Sequence, residues 1–345
     1  MVLTSRWEKE RSPAAMSLMS AGPVPLLWVL TAISAGGFGI DVASRGPGPS
    51  EVPVALSSTD VDGGSVRPLP FFYDLYTFRA EGGLTTVVAA FAVEAGELET
   101  ERVGDNNRYR FSVTLRLADA ALRSMTSRHD SLFVDLPRQV HGDHLLFTHI
   151  EVRAPPSRNI RQGVSMIDAT QAGIGQAYWE YIQIPDYSGT ELMLSDVALG
   201  QPDAQIGWER GGVTLALLPT RQLPSGAFDV FYEIYNLPTG NPYTTEITVE
   251  RLAGSSGEAA EDRVPIRLRF AGESTAAASG TLPELRSVVT PFAKGRYRIT
   301  VTIEDLTTGK TASRSRTFEV QTSGRGATMV PALQVEPLKR GGEGV

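Results

Sequence analysis

The chain has 345 residues, 41% of them hydrophobic, and a formal net charge of −7. This composition can form two domains of ordinary size, whereas the scattered Lys and Arg residues form no basic patch, so nucleic acid is excluded as a partner. The chain contains no cysteine, which excludes disulfides, thiolate nucleophiles, Cys-bound zinc and a lipid-modified anchor.

Residues 1–40 are predicted to be a signal peptide or a membrane anchor. An apolar run at 26–33 follows a charged start, and small residues at 34–37 offer a peptidase site near Ala35. The alternatives are an uncleaved anchor over 22–40, which its Pro and Gly residues weaken as a spanning helix, and a buried helix of a cytoplasmic protein. The segment predicts an extracytoplasmic protein, periplasmic, surface-located or secreted, that contacts a membrane only if the segment is retained.

Both flanks of the folded region are predicted to be irregular. Residues 41–68 are rich in Gly, Pro, Ser and Asp without a sustained period, which is typical of a flexible linker. Residues 323–345 are equally rich in Gly and are predicted to be a disordered tail.

A first domain, residues 69–186, is predicted to contain about seven strands. The alternation of apolar and polar residues is clearest over 108–117, and residues 85–93 place Val87, Ala89, Phe91 and Val93 on one face. The other predicted strands are 71–79, 132–136, 145–153, 164–168 and 178–184. A short helix is predicted over 118–125.

A second domain, residues 187–322, has the same character. Its predicted strands are 192–199, 213–218, 230–237, 243–252, 266–270, 287–290 and the two strands of a hairpin over 296–320. Residues 283–287 are predicted to form one helical turn. Pro238, Gly240 and Pro242 supply the turn chemistry between two of the strands.

Each predicted domain closes with a similar hairpin, in which a strand ends in Asp168 or Asp305 and a turn containing Gly173 or Gly309 follows. Two similar endings indicate two similar domains. The chain is therefore predicted to be all-β, with two tandem immunoglobulin-like antiparallel β-sandwiches. Such an architecture is not tied to one chemistry.

Three segments carry a resemblance to a known family: Leu-Ser-Asp-Val-Ala-Leu at 194–199, Tyr-Glu-Ile-Tyr-Asn-Leu at 232–237, and the hairpin over 295–318. They resemble the β-rich C-terminal region of bacterial GWxTD-domain proteins, which are generally exported. The resemblance extends over 69–320 and implies an exported β-rich protein. The Gly-Trp-x-Thr-Asp signature is absent, since the nearest string begins at Gly207-Trp208, so no functional residue is transferred.

The histidines are candidate metal ligands. All four lie between His129 and His149, and His141, His144 and His149 are weak candidates for a zinc site with Asp143. No helical HExxH spacing accompanies them, so ordinary polar loop residues are the favoured interpretation.

Other catalytic patterns are absent or incomplete. Residues 307–311 resemble the end of a phosphate-binding loop, but Glu304 stands where the first Gly belongs and a strand follows, so a hairpin turn is predicted. No GxSxG motif occurs. We therefore expect no enzyme activity and no cofactor.

Aromatic residues at 178–181 are the better functional candidates. On a strand, Trp179 and Tyr181 share one face, opposite Ile182 and Ile184, and are exposed if the isoleucines are buried. Such a pair can bind a protein partner or stack on sugar rings. Packing against the linker or the second domain is the favoured alternative.

These observations favour an exported, non-enzymatic structural or protein-interaction module of the bacterial cell envelope, with envelope or extracellular proteins as partners. A glycan-binding module is the first alternative and a metal-dependent hydrolase the second.

Overall fold

The computed structural model describes residues 67–334 except 120, 122, 138–143, 202–206, 220–222, 224–225, 253–264, 277–279, 291, 321–328 and 332. The described chain is all-β, as predicted; two single-turn 3-10 helices, Glu81–Gly83 and Ala95–Glu97, interrupt the strands. Among the described residues, no helix has the length and apolarity to cross a membrane. The predicted signal segment lies outside the described residues, as does the linker up to residue 66.

Nine strands form the first half of the fold. They are β1 (Arg67–Pro68), β2 (Phe72–Arg79), β3 (Thr85–Glu94), β4 (Thr100–Val103), β5 (Asn106–Ala118), β6 (Ser124–Pro137), β7 (Leu145–Ala154), β8 (Ser157–Asp168) and β9 (Ile174–Ile184).

Twelve strands follow. They are β10 (Met193–Leu194), β11 (Ala198–Gln201), β12 (Trp208–Arg210), β13 (Val213–Leu217), β14 (Gly226–Tyr235), β15 (Pro242–Arg251), β16 (Ile266–Glu273), β17 (Thr281–Thr290), β18 (Gly295–Asp305), β19 (Thr311–Val320), β20 (Met329–Pro331) and β21 (Leu333–Gln334).

The strands form four sheets, named here in the order in which they stack. Sheet I runs β1-β9-β8-β5-β6-β21 with β4 beside β5, and sheet II runs β2-β3-β7-β20. Sheet III runs β10-β14-β11-β13-β12 with β17 on the other side of β14, and sheet IV runs β16-β15-β18-β19. Neighbouring strands are antiparallel except for the short pairings of β1 with β9 and β20 with β7.

Three apolar layers separate the four sheets. The inner faces of sheets I and II enclose one core, which includes Phe91 and Phe111, and sheets III and IV enclose a second, which includes Phe228 and Ile299. These are the two predicted sandwiches. A third cluster joins them, because Phe78 and Val88 on the outer face of sheet II pack against Trp208, Leu215 and Phe231 of sheet III.

The central strands of sheets II and III are therefore buried on both faces. In β3 every residue from Thr85 to Val93 is buried, and in β14 every residue from Phe228 to Tyr235 is buried. A strand covered on both sides needs apolar residues at both parities, and β3 supplies them as Val87 and Val88. The two sandwiches thus form a four-layer stack.

One guanidinium group connects three of the sheets. Arg316 of sheet IV donates from Nη1 to Asp74 Oδ1 of sheet II (2.8 Å) and from Nη2 to the Leu75 carbonyl (2.8 Å). Its Nη2 lies 3.7 Å from Oδ2 of Asp196, in the segment between β10 and β11 of sheet III. Its guanidinium carbon lies 4.2 Å from the centroid of the Tyr76 ring. Burial alone would lower the pKa of Arg316, but the negative charge of Asp74 raises it above the usual value. The guanidinium group therefore stays positively charged.

Asp196 is the other centre of this junction. Its Oδ2 accepts the backbone N–H (2.9 Å) and the hydroxyl (2.7 Å) of Thr77, and its own N–H donates to the Thr77 carbonyl (3.1 Å). Arg314 contacts its Oδ1 at 3.1 Å and donates to the Tyr187 hydroxyl (2.9 Å). Buried ionic groups need such pairing to be tolerated. Arg314 Nε lies within ion-pair distance of Asp196 but makes no hydrogen bond within the described structure.

The two closing hairpins are confirmed as β8–β9 and β18–β19. Asp168 and Asp305 are both buried, and each carboxylate accepts N–H groups of the turn that follows it: Thr170 at 2.7 Å in the first hairpin, Thr307 at 2.9 Å in the second. Each turn ends with a glycine of positive φ. The phosphate-loop-like segment is therefore a hairpin turn, as predicted.

Three local predictions are wrong. The disordered tail of 323–345 contains β20 and β21, which pair with β7 and β6. The helix over 118–125 is instead the connection from β5 to β6, where Asp119 Oδ1 accepts the N–H groups of Ala121 and Arg123 (both 2.9 Å). The helical turn at 283–287 is part of β17, an edge strand. Pro283 stands opposite Glu233, whose backbone groups bond Ser195 on the other side, so the proline costs no ladder bond.

Replacing Arg316 by Met is expected to lower the free energy of unfolding by about 3 kcal/mol or more, because Asp74 and Asp196, both largely removed from water, each lose a cationic contact. Urea denaturation measures this. The matched control is Arg296→Met, whose ion pair with Glu319 at 3.7 Å is exposed and is expected to be worth less than about 1 kcal/mol. Equal effects of the two substitutions would contradict the role assigned to Arg316.

Candidate interaction surface

The outer face of sheet I, opposite the core, carries the aromatic residues singled out in the sequence. Tyr181 is 60% exposed, Trp179 is half-buried, and Ile184 is buried in the core between sheets I and II. The predicted exposure of Tyr181 is confirmed. Ile182 is only partly buried against that core.

Trp179 lies flat on the sheet instead of projecting from it. It pairs across the ladder with Gly163, and a Cβ atom on Gly163 would lie 2.4 Å from the indole ring. The missing side chain of Gly163 therefore provides the space that the indole occupies. The guanidinium carbon of Arg161 lies over the indole, 4.9 Å from the ring centroid, which holds the ring in place.

Among the described residues, the strand that carries these aromatics has a free edge. Its first residues bind β1, since the carbonyls of Gly173 and Gly175 accept from Arg67 (2.8 Å) and Leu69 (3.3 Å). Because backbone groups alternate in direction along a strand, the odd-numbered residues from 177 to 183 direct their N–H and C=O groups to the same edge. Within the described residues, no backbone hydrogen bond reaches that edge beyond Gly175.

Another edge strand shows how this fold protects an edge. In β17, Pro283 has no N–H to offer, and the charged Glu284 points inward, where it accepts the Tyr243 hydroxyl of sheet IV. Proline and inward charges are recognised defences against unwanted strand pairing. Residues 177–183 contain no proline. Their one charged residue, Glu180, points inward as Glu284 does and accepts from Gln162 (2.9 Å) and Tyr73 (3.1 Å), so β9 lacks the proline but not the inward charge.

The favoured prediction that Trp179 and Tyr181 pack against the second domain is wrong. The domain contact is made by sheets II and III, and the outer face of sheet I lies on the far side of the first sandwich from it. Trp179 contacts Gly163 and Arg161, both of sheet I.

The histidines do not converge in the described structure. His141 lies outside the described residues. His144 precedes β7 and accepts the Ala95 N–H through its carbonyl (2.8 Å), whereas His149 lies five residues further along the extended strand, about 16 Å away at the rise of a β-strand. Among the described residues, no group of three His, Asp or Glu side chains could hold a metal ion.

His149 lies instead on the face of sheet II that meets sheet III. It pairs with Ala90 across the ladder, and its neighbour of the same parity, Glu151, accepts the Trp208 Nε1–H (3.3 Å). Burial lowers the pKa of His149, and Glu151 opposes this shift only partly. The neutral imidazole is therefore favoured in the folded protein.

Sequence reasoning missed the polar residues of the junction. Asp196 and Asn236 bond Thr77 and Arg79 of the first sandwich, and Glu233 holds Arg210, which donates to the Arg79 carbonyl (2.7 Å). The sequence carries a signal for the contact between the sheets, although not for its polar residues. Residues 85–93 are apolar at both parities, which indicates a strand covered on both faces.

Comparisons with known proteins add no function. No family model and no curated protein matches the chain. Among solved structures, it is similar over 72% of its length to red sea bream transglutaminase (13% identity, TM-score 0.19, 31% of that chain). It is similar over 68% of its length to a Bacteroides uniformis β-glucuronidase (8% identity, TM-score 0.23, 26% of that chain). It is similar over 74% of its length to Escherichia coli α-2-macroglobulin (11% identity, TM-score 0.20, 22% of that chain). The chain thus spans less than a third of these proteins, at TM-scores too low to carry an argument.

The burial of His149 predicts a pH dependence of stability. Its folded pKa lies below the ordinary value of 6.5, so the unfolded chain binds the proton more readily and the contribution of His149 is lost as pH falls below that value. The free energy of unfolding of the wild type minus that of His149→Gln is expected to decrease between about pH 7.5 and pH 5. His129→Gln, an exposed site, is the control; the same decrease for both variants would contradict the assignment.

Proposed function

We propose that this protein is an exported, non-enzymatic protein-interaction module of the bacterial cell envelope, built from two immunoglobulin-like sandwiches and related to the β-rich region of GWxTD-domain proteins. The observation that supports it best is the free edge of β9 with Trp179 and Tyr181 beside it. The apolar segment at 26–33 supports export.

The geometry favours a partner that adds a strand. The odd-numbered residues from 177 to 183 offer backbone donors and acceptors in a row, which is what an extended segment of another protein needs for β-augmentation. Tyr181 and the indole of Trp179 lie along the same edge and supply apolar contact for side chains of the added strand. Backbone pairing would give affinity, and the aromatic side chains would give selectivity.

A glycan-binding module is the second candidate, because the exposed ring of Tyr181 pairs across the ladder with Arg161, whose guanidinium group lies over the indole of Trp179. A flat aromatic ring next to a hydrogen-bond donor suits stacking with a sugar ring. This mode needs the rings and not the backbone of the edge, so the two candidates differ in what they require of β9.

Substitutions at Gln183 separate them. Gln183→Pro removes one edge N–H while keeping both aromatic rings, and Gln183→Ala keeps the N–H. Affinity capture from cross-linked native envelope is expected to recover the same proteins with the wild type and Gln183→Ala, and at least about tenfold less with Gln183→Pro. Tyr181→Ala should also reduce capture, whereas Val289→Ala, at an exposed apolar residue of β17, should not.

Recovery of cell-wall or capsular glycan with no protein, lost with Tyr181→Ala but retained with Gln183→Pro, would replace the interaction role with the glycan-binding one. Equal capture of the same proteins by all variants would show that these proteins do not bind at the edge of β9.

A further inference from the structure

A cleft of about 330 Å³ opens where the two sandwiches meet. Arg79, Gly83 and Leu84 line it from the end of β2 and the start of β3, and Tyr187, Gly189 and Asn236 line it from the second sandwich and the connection between the two. Its volume lies at the lower end of the range for small-molecule sites. It belongs to the domain junction, separate from the outer face of sheet I.

Arg79 brings a positive charge to this cleft without a carboxylate partner. Its Nε donates to the Tyr187 carbonyl (2.9 Å) and its Nη2 to Asn236 Oδ1 (2.9 Å), and both acceptors are neutral. Nη1 makes no hydrogen bond to any described residue. The guanidinium carbon lies 4.2 Å from the ring centroid of Tyr235, which holds the group in place.

The nearby acid is already occupied. Glu233 accepts two bonds from Arg210, at 2.8 and 2.9 Å, and a third from the Tyr235 hydroxyl at 2.6 Å. The other junction guanidinium groups are paired as well: Arg314 with Asp196 and Arg316 with Asp74. Arg79 alone among these four lies beyond ion-pair distance of every carboxylate in the described structure. Burial accordingly lowers the pKa of Arg79, although a guanidinium keeps its proton in any case.

The connection between the domains adds further donors. Asp186 accepts the N–H of Ser188 (2.8 Å), while no hydrogen bond within the described structure uses the N–H groups of Gly189 and Thr190, which also line the cleft. The lining of the cleft thus includes an unused guanidinium nitrogen and two backbone N–H groups to which no described residue is bonded. Guanidinium and N–H groups together bind carboxylates by charge-assisted hydrogen bonds.

We infer that this junction cleft is a binding site for a carboxylate group, either of a small organic acid or of the C-terminus of a peptide. A carboxylate fits better than a phosphate because Arg79 supplies a single positive charge, which a monoanion balances. Since the cleft is lined from both sandwiches, a bound carboxylate would stabilise their contact. The inference does not depend on the proposed function, because it uses none of the residues of β9.

The test is a titration of the full-length, isotope-labelled protein with N-acetylglycine and with its neutral amide, followed by NMR. The acid is expected to shift the amide signals of Gly83, Gly189 and Thr190 saturably, with a Kd on the order of 1 mM for so small a ligand, and the amide is not. Arg79→Gln should weaken binding at least about tenfold, and Arg79→Lys should restore only part of it, since Lys lacks the planar fork. Acetate and an acetylated tripeptide acid distinguish the two sources, because only a peptide site binds the tripeptide more tightly.

Equal shifts with the acid and the amide, or no saturable shift at these residues, would overturn the inference. Tighter binding of inorganic phosphate than of either acid would overturn the assignment to carboxylates. If Arg79→Gln fails to fold, the comparison of acid with amide on the wild type still decides the matter.

Discussion

The packing of sheet II against sheet III determines the rest of the structure. At its edge, Arg316 of sheet IV donates to Asp74 and to a carbonyl of sheet II, and it lies beside Asp196 of sheet III. A charged group that leaves water must recover the lost hydration in contacts of good geometry. These contacts exist only when all three sheets are in register, so the ionic cluster specifies one arrangement of the two sandwiches, while the apolar layer of Phe78, Trp208 and Phe231 supplies most of the burial.

This arrangement separates two surfaces with different chemistry. The outer face of sheet I is distant from the junction, so the free edge of β9 and the rings of Trp179 and Tyr181 can meet a partner without disturbing the sandwich contact. The cleft at Arg79 lies within the junction itself. A ligand there would be sensitive to how the two sandwiches are placed, whereas a strand added to β9 would extend sheet I alone.

Much of this could be predicted from the sequence, because alternation with period two is a local signal. It identified the all-β class, most of the strands and the two closing hairpins with their Asp and Gly residues. Trp179 and Tyr181 were singled out from the sequence as exposed aromatic residues. The free edge beside them and their packing surroundings were not predicted, since a single strand does not reveal its neighbours or the layer that covers it. The apolar residues at both parities of 85–93 indicate a strand covered on both faces, and that pattern points to sheet II as the true contact.

The junction polar residues could not be predicted, for a physical reason. Asp74, Asp196 and Arg316 are far apart in the chain, and each alone has the pattern of a solvated strand residue. Their roles arise from tertiary contact between sheets that the sequence does not order. The same holds for Arg79, since only the packed structure shows that none of the described carboxylates lies within ion-pair distance of it.

The most direct test of the account is the distance between the sandwiches in solution. The chain has no cysteine, so spin labels at Ser127→Cys in sheet I and Thr307→Cys in the β18–β19 turn, both exposed positions, can be measured without interference by pulsed electron paramagnetic resonance. The account predicts one narrow distance distribution, because the four sheets form a single packed stack. A broad distribution, or two separate distances, would show that the sandwiches move independently and would contradict it.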